Sequence, residues 1–242
     1  WDKDKEELSR FLTLEEKPRD GEVRFHVKEP KKYIRLIPRD RIDAELKVKD
    51  LLRLYERKFG KGNEIWVEVM GIDKEKRVKE LSEMGKFRLE LLQLFYGETK
   101  FVIAEDFVDT IEEQFRARAV KDLVKAVDYL KATLVIFMGT FRFQEVCDNK
   151  VVIYGGRVME IAGRGKVYHP YSEVLSRARL DVGNRLEKIN VNYVGEPASS
   201  GCPFHPYCWF RERELRKMCV SSLPPMFSFD GNLVRCWKFR PS

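Results

Sequence analysis

The sequence has few of the residues that most often carry acid–base chemistry, and it has no long apolar run. It contains three histidines in 242 residues, and none stands beside a nucleophile in a recognisable motif. No apolar run approaches the roughly 18 residues of a membrane span, and no charged-then-apolar leader opens the chain. We therefore expect a soluble protein without a signal peptide and without a histidine-based catalytic site.

Charge of a single sign is also lacking. The chain has 46 basic and 39 acidic residues, for a net charge of +7. This balance suits an anionic partner, but the two signs are interspersed, and no basic stripe alternates with aromatic residues as in single-strand binders. We therefore expect a highly charged, solvated surface and not a nucleic-acid interface.

Strand-like and helix-like patterns alternate along most of the chain. Runs rich in β-branched residues predict strands at 22–27, 33–37, 101–104, 134–138 and 151–154. Apolar residues three and four apart predict helices at 46–59, 74–96, 107–131 and 141–147. The alternation favours an α/β fold with a mostly parallel sheet and flanking helices. The pattern becomes irregular after residue 163, so we predict a main domain over residues 1–163 and a C-terminal extension over 164–242.

Cysteine is scarce except near the end of the sequence. Cys147 follows an apolar helical pattern and is expected to be a small buried hydrophobe, while four more lie in the last forty residues: Cys202, Cys208, Cys219 and Cys236. Four thiols on a proline-rich segment suit an iron–sulfur cluster, a zinc ion or two disulfides. The spacing lacks the paired C-x2-C of zinc ribbons, so it favours the cluster modestly and leaves the alternatives open.

The end of the sequence resembles a known family. "KVVIYGGRVMEIAGRGKVYHPYSEVLSRA", followed by "GCPFHPYC", is similar to the end of the ATPase subunits of oligopeptide and dipeptide ABC importers. The resemblance implies an ABC-type P-loop NTPase fold whose four tail cysteines ligate a [4Fe–4S] cluster. His205 belongs to the family's own segment, so we expect a structural role and not ligation. The tail aromatics are expected to shield the cluster, namely Trp209, Phe210, Phe227, Phe229, Trp237 and Phe239.

The resemblance extends back over nearly the whole chain, but the phosphate-binding motif departs from it. Lys5 falls at the position of the P-loop lysine, whereas Asp4, Glu6 and Glu7 stand where the family has glycine, serine and threonine. Acidic side chains cannot replace the backbone and hydroxyl groups that hold a polyphosphate and Mg²⁺. We therefore expect no ordinary binding of ATP and Mg²⁺. The two strands that precede this loop in the family have no counterpart within these 242 residues.

Four further family positions also differ. Leu81 and Ser82 match the signature helix, but Glu83 and Met84 replace its glycines. The Walker B pair is reversed to Glu105–Asp106, Met138 takes the place of the switch histidine, and Arg39 stands near the Q-loop glutamine. A degenerate nucleotide site would consist of Lys5, Glu105 and Asp106, with no catalytic residue.

The resemblance therefore implies a non-catalytic subunit of a peptide or oligosaccharide importer. Such a subunit would pair with a catalytic ABC ATPase subunit and bind transmembrane permease subunits at the cytoplasmic face of the cell membrane. The alternative is an iron–sulfur protein on a repurposed ABC fold, acting in a different complex through redox chemistry or nucleic-acid binding. Salt-dependent DNA binding would favour the alternative.

Overall fold

The structure, a computed structural model, describes residues 2–37, 42–105, 111–139, 143–177, 195–210 and 213–241. The chain divides into two compact units, Asp2–Gly139 and Thr140–Ser242. Residue 163, where the sequence pattern changes, lies inside the second unit, because the strands before it pair with a strand of the tail. The predicted domain boundary at residue 163 stays a prediction.

A three-stranded parallel sheet forms the centre of the first unit. Its strands are β1 (Ile34–Ile37), β2 (Phe101–Glu105) and β3 (Thr133–Phe137), in the order β1-β2-β3. These elements confirm three of the predicted strands to within one residue. The strand predicted at 22–27 is wrong, because this segment is irregular and Phe25 packs its ring edge-on against Phe101, with ring centroids 4.8 Å apart.

Five helices accompany this sheet in the described part of the first unit. They are α1 (Asp2–Leu12), α2 (Val48–Phe59), α3 (Ile65–Val69), α4 (Glu83–Leu92) and α5 (Glu113–Leu130). The helix predicted at 74–96 starts later than expected, because Ser82 caps α4 by accepting the Gly85 N–H at 3.1 Å. The segment predicted as a helix at 141–147 contains only a 3-10 turn at Gln144–Val146 within its described residues.

A buried arginine ties the first strand to its neighbours. Arg35 of β1 is almost fully buried, and its guanidinium donates hydrogen bonds to the carbonyl oxygens of Tyr96 at 2.7 Å and Lys32 at 2.8 Å. Burial lowers the Arg35 pKa to about 10. The guanidinium thus links β1 to the turn that leads into β2.

The second unit contains an antiparallel sheet. Its strands are β4 (Lys150–Tyr154), β5 (Arg157–Ala162), β6 (Phe227–Phe229) and β7 (Asn232–Val234), in the order β4-β5-β7-β6, and its helices are α6 (Pro170–Arg177) and α7 (Arg213–Ser221). The strand predicted at 151–154 is confirmed, but it does not join the parallel sheet. Gly155 and Gly156 both have positive φ, which turns the chain back as a tight hairpin.

Candidate metal centre

The four tail cysteines come from three segments of the second unit. Cys202 and Cys208 lie on the loop that follows Gly201, Cys219 lies in α7, and Cys236 follows β7 by two residues. The Cys202 N–H donates to the Cys219 carbonyl oxygen at 2.8 Å, so the loop is fastened to the end of α7. All four are free thiols, with Cys202 and Cys236 buried and the other two half-buried.

The four thiols share one electrostatic environment. For every pair among Cys202, Cys208, Cys219 and Cys236, the charge of one thiolate raises the pKa of another. Burial is the largest cause of each raised pKa, and it takes Cys202 and Cys236 to about 12. Four negative sulfurs cannot persist together here without a cation, so metal binding would have to release protons.

Cys147 stands apart from this group. Burial and the charges of Asp148 and Glu145 raise its pKa, while Lys150 lowers it, and the tail cysteines do not contribute. This is consistent with the separation of Cys147 from the four candidate ligands.

Neighbouring backbone N–H groups favour the thiolate form of three of the four cysteines. Those of Phe204 and His205 lower the Cys202 pKa, that of Phe210 lowers the Cys208 pKa and that of Lys238 lowers the Cys236 pKa, each against the effect of burial. Backbone donors of this kind suit cysteines that act as metal ligands.

Aromatic side chains enclose the site on the sheet side. Phe204 is fully buried, and its ring lies 5.3 Å from that of Tyr171 and 5.8 Å from that of Tyr154, centroid to centroid. Cys208, Cys219 and Trp209 pack against the same apolar cluster, which also contains Cys202. Not all of the tail aromatics predicted to shield the cysteines belong to this cluster. Phe229 and Phe239 pack on each other, with ring centroids 4.6 Å apart, and Phe229 also packs against Tyr168.

The metal-ligand role of the tail cysteines stays a prediction. Among the described residues, no group of three or more His, Cys, Asp and Glu side chains is placed to hold a metal ion. His205 Nδ1 lies 2.9 Å from the Cys202 carbonyl oxygen, which fits a structural role.

The residues predicted for a degenerate nucleotide site lie on neighbouring elements of the first unit. Lys5 is half-buried on α1, a helix that packs against β2, while Glu6 and Glu7 are exposed. Glu105 ends β2 and pairs with Phe137 of β3, so Met138 follows at the same end of the sheet. Asp106 and Arg39 lie outside the described residues.

Glu83 opens helix α4, where the resemblance expects a glycine of the signature motif. Its carboxylate lies 3.0 Å from the Lys86 ammonium, one helical turn later. The pair is only about a quarter exposed, so the helix N-terminus carries a neutralised carboxylate in place of open backbone N–H groups. This leaves less room for a phosphate oxygen than a glycine would.

Comparison with known proteins gives partial matches. The oligopeptide transport ATP-binding protein OppD of Haemophilus influenzae is 35% identical over 104 residues, which cover 38% of this chain and 30% of OppD. A putative peptide import ATP-binding protein of Brucella ovis is 29% identical over 139 residues, which cover 53% of this chain and 44% of that protein. No protein-family model matches the chain. The chain thus spans less than half the length of these relatives.

Solved structures match more of the chain at lower identity. A putative ABC transporter ATP-binding protein from Pyrococcus furiosus has a TM-score of 0.50 at 19% identity, covering 57% of this chain and 74% of its own. An ATP-binding subunit of an ABC transporter has a TM-score of 0.53 at 14% identity, covering 65% and 73%. The chain has an ABC ATPase-like α/β fold. None of the described helices is long and apolar enough to cross a bilayer.

Several residues that surround the four tail cysteines were not predicted from the sequence. Phe204, Tyr154 and Tyr171 form the aromatic wall of this site, and all three are nearly inaccessible to solvent. Side chains alternate between the two faces of β4, which places Val152 and Tyr154 on the same face, so the strand pattern could have predicted that Tyr154 is buried. Glu160, a fully buried carboxylate behind the site, carried no such signal, because a charged residue in a strand usually faces solvent.

Proposed function

We propose that the chain is a non-catalytic subunit of an ABC-type importer of peptides or oligosaccharides, with a structural [4Fe–4S] cluster in its tail. The proposal rests on two likenesses, the ABC ATPase-like fold and the partial identity to peptide import ATP-binding proteins. Fold alone does not assign an activity, so the site residues must carry the rest.

One observation carries the non-catalytic part. The elements that would meet a nucleotide are present as α1, the end of β2, the end of β3 and the start of α4, yet their side chains have the wrong chemistry. Glu83 places a carboxylate at the head of α4, and Met138 offers no hydrogen bond at the end of β3. Phosphate binding needs N–H donors and cations at these places. The chain would therefore keep the fold of an ABC ATPase without the residues that hydrolyse ATP.

Cys202, Cys208, Cys219 and Cys236 would hold the cluster. When bound, the cluster supplies a covalent cross-link between the 202–208 loop, α7 and the segment after β7. The chain's own contribution is a buried pocket in which backbone N–H groups favour three of the four thiolates. Such a cross-link would stabilise the unit, because the free energy of metal binding adds to that of folding.

The partners follow from the same proposal. The chain would pair with an ABC ATPase subunit whose phosphate-binding motifs are intact, and both would bind permease subunits at the cytoplasmic face of the membrane. This placement is that of a peripheral protein.

Nucleotide binding tests the non-catalytic part directly. Equilibrium dialysis with labelled ATP and Mg²⁺, alongside a Walker-intact peptide importer ATPase as positive control, should show no saturable binding to this chain. A Lys5→Ala variant should behave identically. Saturable binding that Lys5→Ala abolishes would overturn the proposal.

Anaerobic purification tests the cluster and the partners. We expect about four iron and four sulfide per chain, with a brown colour and a Walker-intact ATPase plus permease chains in the same complex. Stoichiometric zinc without sulfide would refute the cluster. An iron-loaded chain that co-purifies with nucleic acid or a redox partner, and without permeases, would favour the alternative function.

A further inference from the structure

Two aspartates of the chain are directly followed by glycine, Asp20 and Asp230. An Asp–Gly step can rearrange without an enzyme, because glycine has no side chain to keep its backbone nitrogen away from the carboxyl carbon of the aspartate. The two steps lie in different compact units, Asp20 in the first and Asp230 in the second. Their surroundings decide which of them can react.

The Asp20–Gly21 step lies in an exposed segment without regular structure. Both residues are exposed, and they fall between α1 and the 3-10 turn at Pro30–Lys32. The Gly21 N–H donates to Oδ1 of Asp20 at 2.9 Å. Gly21 has a φ of +80°, and a Cβ atom added there would meet no described atom within 4 Å. The nitrogen is therefore held beside the carboxyl group with open space around it.

This hydrogen bond brings together the two atoms that would react. Oδ1 is bonded to Cγ, so the Gly21 nitrogen is already near the carbon that it would attack. A rotation about the Cα–Cβ and Cβ–Cγ bonds of Asp20 turns the face of the carboxyl group toward this nitrogen. Within the described part of the chain, the Asp20 carboxylate has no second hydrogen bond or ion pair that would oppose the rotation.

The Asp230–Gly231 step is held in a tight hairpin instead. Phe229 of β6 pairs with Asn232 of β7, so the two residues between them form the whole turn. Asp230 has a φ of +47° and Gly231 a φ of +77°, as a type I′ turn requires. Because strand pairing fixes the backbone on both sides, the Gly231 nitrogen cannot turn toward Cγ of Asp230 unless the hairpin opens.

The Asp230 carboxylate also has a partner outside the turn. The Tyr168 hydroxyl donates to its Oδ2, and the Tyr168 ring packs edge-on against Phe229, with ring centroids 4.9 Å apart. A Cβ atom added at Gly231 would meet no described atom within 4 Å, as at Gly21, so open space does not distinguish the two steps. They differ in the strand pairing and in this hydroxyl.

We propose that Asp20–Gly21 is a site of spontaneous isomerisation, and that the hairpin and the Tyr168 hydroxyl protect Asp230–Gly231 from the same reaction. The Gly21 nitrogen forms a bond to Cγ of Asp20 in its acid form, and the amide proton and the carboxyl hydroxyl leave as water, which gives a cyclic succinimide. Water then adds to the former main-chain carbonyl carbon and breaks its bond to the Gly21 nitrogen.

The product is isoaspartate at residue 20. Its peptide bond runs through Cγ, a free α-carboxylate is left in the exposed segment, and the mass of the chain is unchanged because one water is lost and one is gained. The main chain becomes longer by one methylene group. The reaction is independent of the proposed transport and cluster functions.

Incubation of the purified chain in mildly acidic buffer, warm but below its thermal midpoint, measures both steps in one sample. Isoaspartate is assigned to each peptide by mass spectrometry with electron-transfer fragmentation, and its total is measured with protein-L-isoaspartate methyltransferase and labelled S-adenosylmethionine. In the folded chain we expect at least about tenfold more isoaspartate at residue 20 than at residue 230, because the hairpin must first open. In guanidinium chloride the two steps should react at similar rates.

Three outcomes would overturn the proposal. They are equal rates at the two steps in the folded chain, no isoaspartate at residue 20, and a difference that persists unchanged in guanidinium chloride. The last outcome would show that the local sequence, and not the fold, sets the rates.

Two substitutions test the chemistry at residue 20. Asp20→Glu should abolish the isoaspartate signal there, because the longer side chain cannot close the five-membered ring. Gly21→Ala should slow the reaction about tenfold, because a side chain disfavours the positive φ that residue 21 adopts. The step at Asp230 in the same samples is the internal reference and should not change. A signal that Asp20→Glu leaves intact would show that another residue reacts.

Tyr168→Phe tests the protection of Asp230. The variant keeps the ring that packs on Phe229 and removes the hydroxyl, so isomerisation at Asp230 should rise about two- to tenfold. Tyr207→Phe is the matched control, because it removes a hydroxyl of the same unit that bonds the Glu196 carbonyl oxygen at 3.0 Å. An unchanged rate at Asp230 in Tyr168→Phe, or an equal rise in the control, would overturn the protective role of this hydroxyl.

Discussion

A Cβ atom placed on Gly201 would lie 2.2 Å from the carbonyl oxygen of Cys219. Gly201 also has a φ of +66°, in the left-handed region that favours glycine. The loop bearing Cys202 and Cys208 therefore reaches the end of α7 only because residue 201 has no side chain.

Gly201→Ala should destabilise the chain well beyond the cost of its backbone conformation. Gly156→Ala is the matched control, since its φ is +67° and an added Cβ meets no described atom within 4 Å. Urea unfolding should show a loss of about 1–2 kcal/mol for the control and at least about 2 kcal/mol more for Gly201→Ala. Equal losses would show that the loop does not need this close approach.

Serine substitutions should distinguish the four tail cysteines, which we propose hold the cluster, from Cys147, which does not. Cys202→Ser and Cys236→Ser should each lower bound iron and sulfide to a small fraction of the parent value, because the hydroxyl is a poor replacement for a thiolate. Cys147→Ser should leave both values unchanged. Anaerobic iron and sulfide analysis measures the difference, and iron loss in Cys147→Ser would contradict the assignment.

The buried, neutral His169 should make the parent chain sensitive to acid. Its pKa is about 3 in the folded chain and about 6.5 when unfolded, so below pH 6.5 the unfolded state binds the extra proton. The stability due to the neutral ring is present above pH 6.5 and is lost as the pH falls toward 3. Between pH 7 and pH 5 the parent should lose up to about 2 kcal/mol more than His169→Gln in urea unfolding. Parallel pH profiles would show that the ring is not held neutral.

Arg35→Lys should destabilise the first unit even though the charge is kept. The guanidinium bonds the carbonyl oxygens of Tyr96 and Lys32 and stacks 4.2 Å from the Phe59 ring centroid, and an ammonium cannot do all three. We expect a loss of about 1–3 kcal/mol by thermal or urea unfolding. Arg53→Lys, at an exposed ion pair with Asp50, is the control and should change little.

The sequence predicts the parallel sheet well because its strands are buried, β-branched runs separated by helical periodicity. It does not reveal that β4 belongs to a separate antiparallel sheet, since a single apolar run is compatible with either parallel or antiparallel pairing. The two glycines at 155 and 156 carry that information, through the positive φ that both adopt.

The candidate site was predicted only in part. Residue type and spacing select the four cysteines, but spacing alone leaves zinc and disulfides open. Glu160 and Phe204 could not be assigned, because their roles depend on tertiary contacts with Asn232 and Tyr171 that lie far apart in sequence. Glu160 lies opposite Val234 in the pairing of β5 with β7, on which its burial depends.

The pairing of β5 with β7 determines the order in which the strands of the second unit come together during folding. Ile161 of β5 meets Leu233 of β7 across about 70 residues, so this ladder closes late and slowly compared with the neighbouring β4–β5 hairpin. We therefore expect the β4–β5 hairpin to form first, and Cys236, which follows β7, to reach the other tail cysteines only after this ladder has closed.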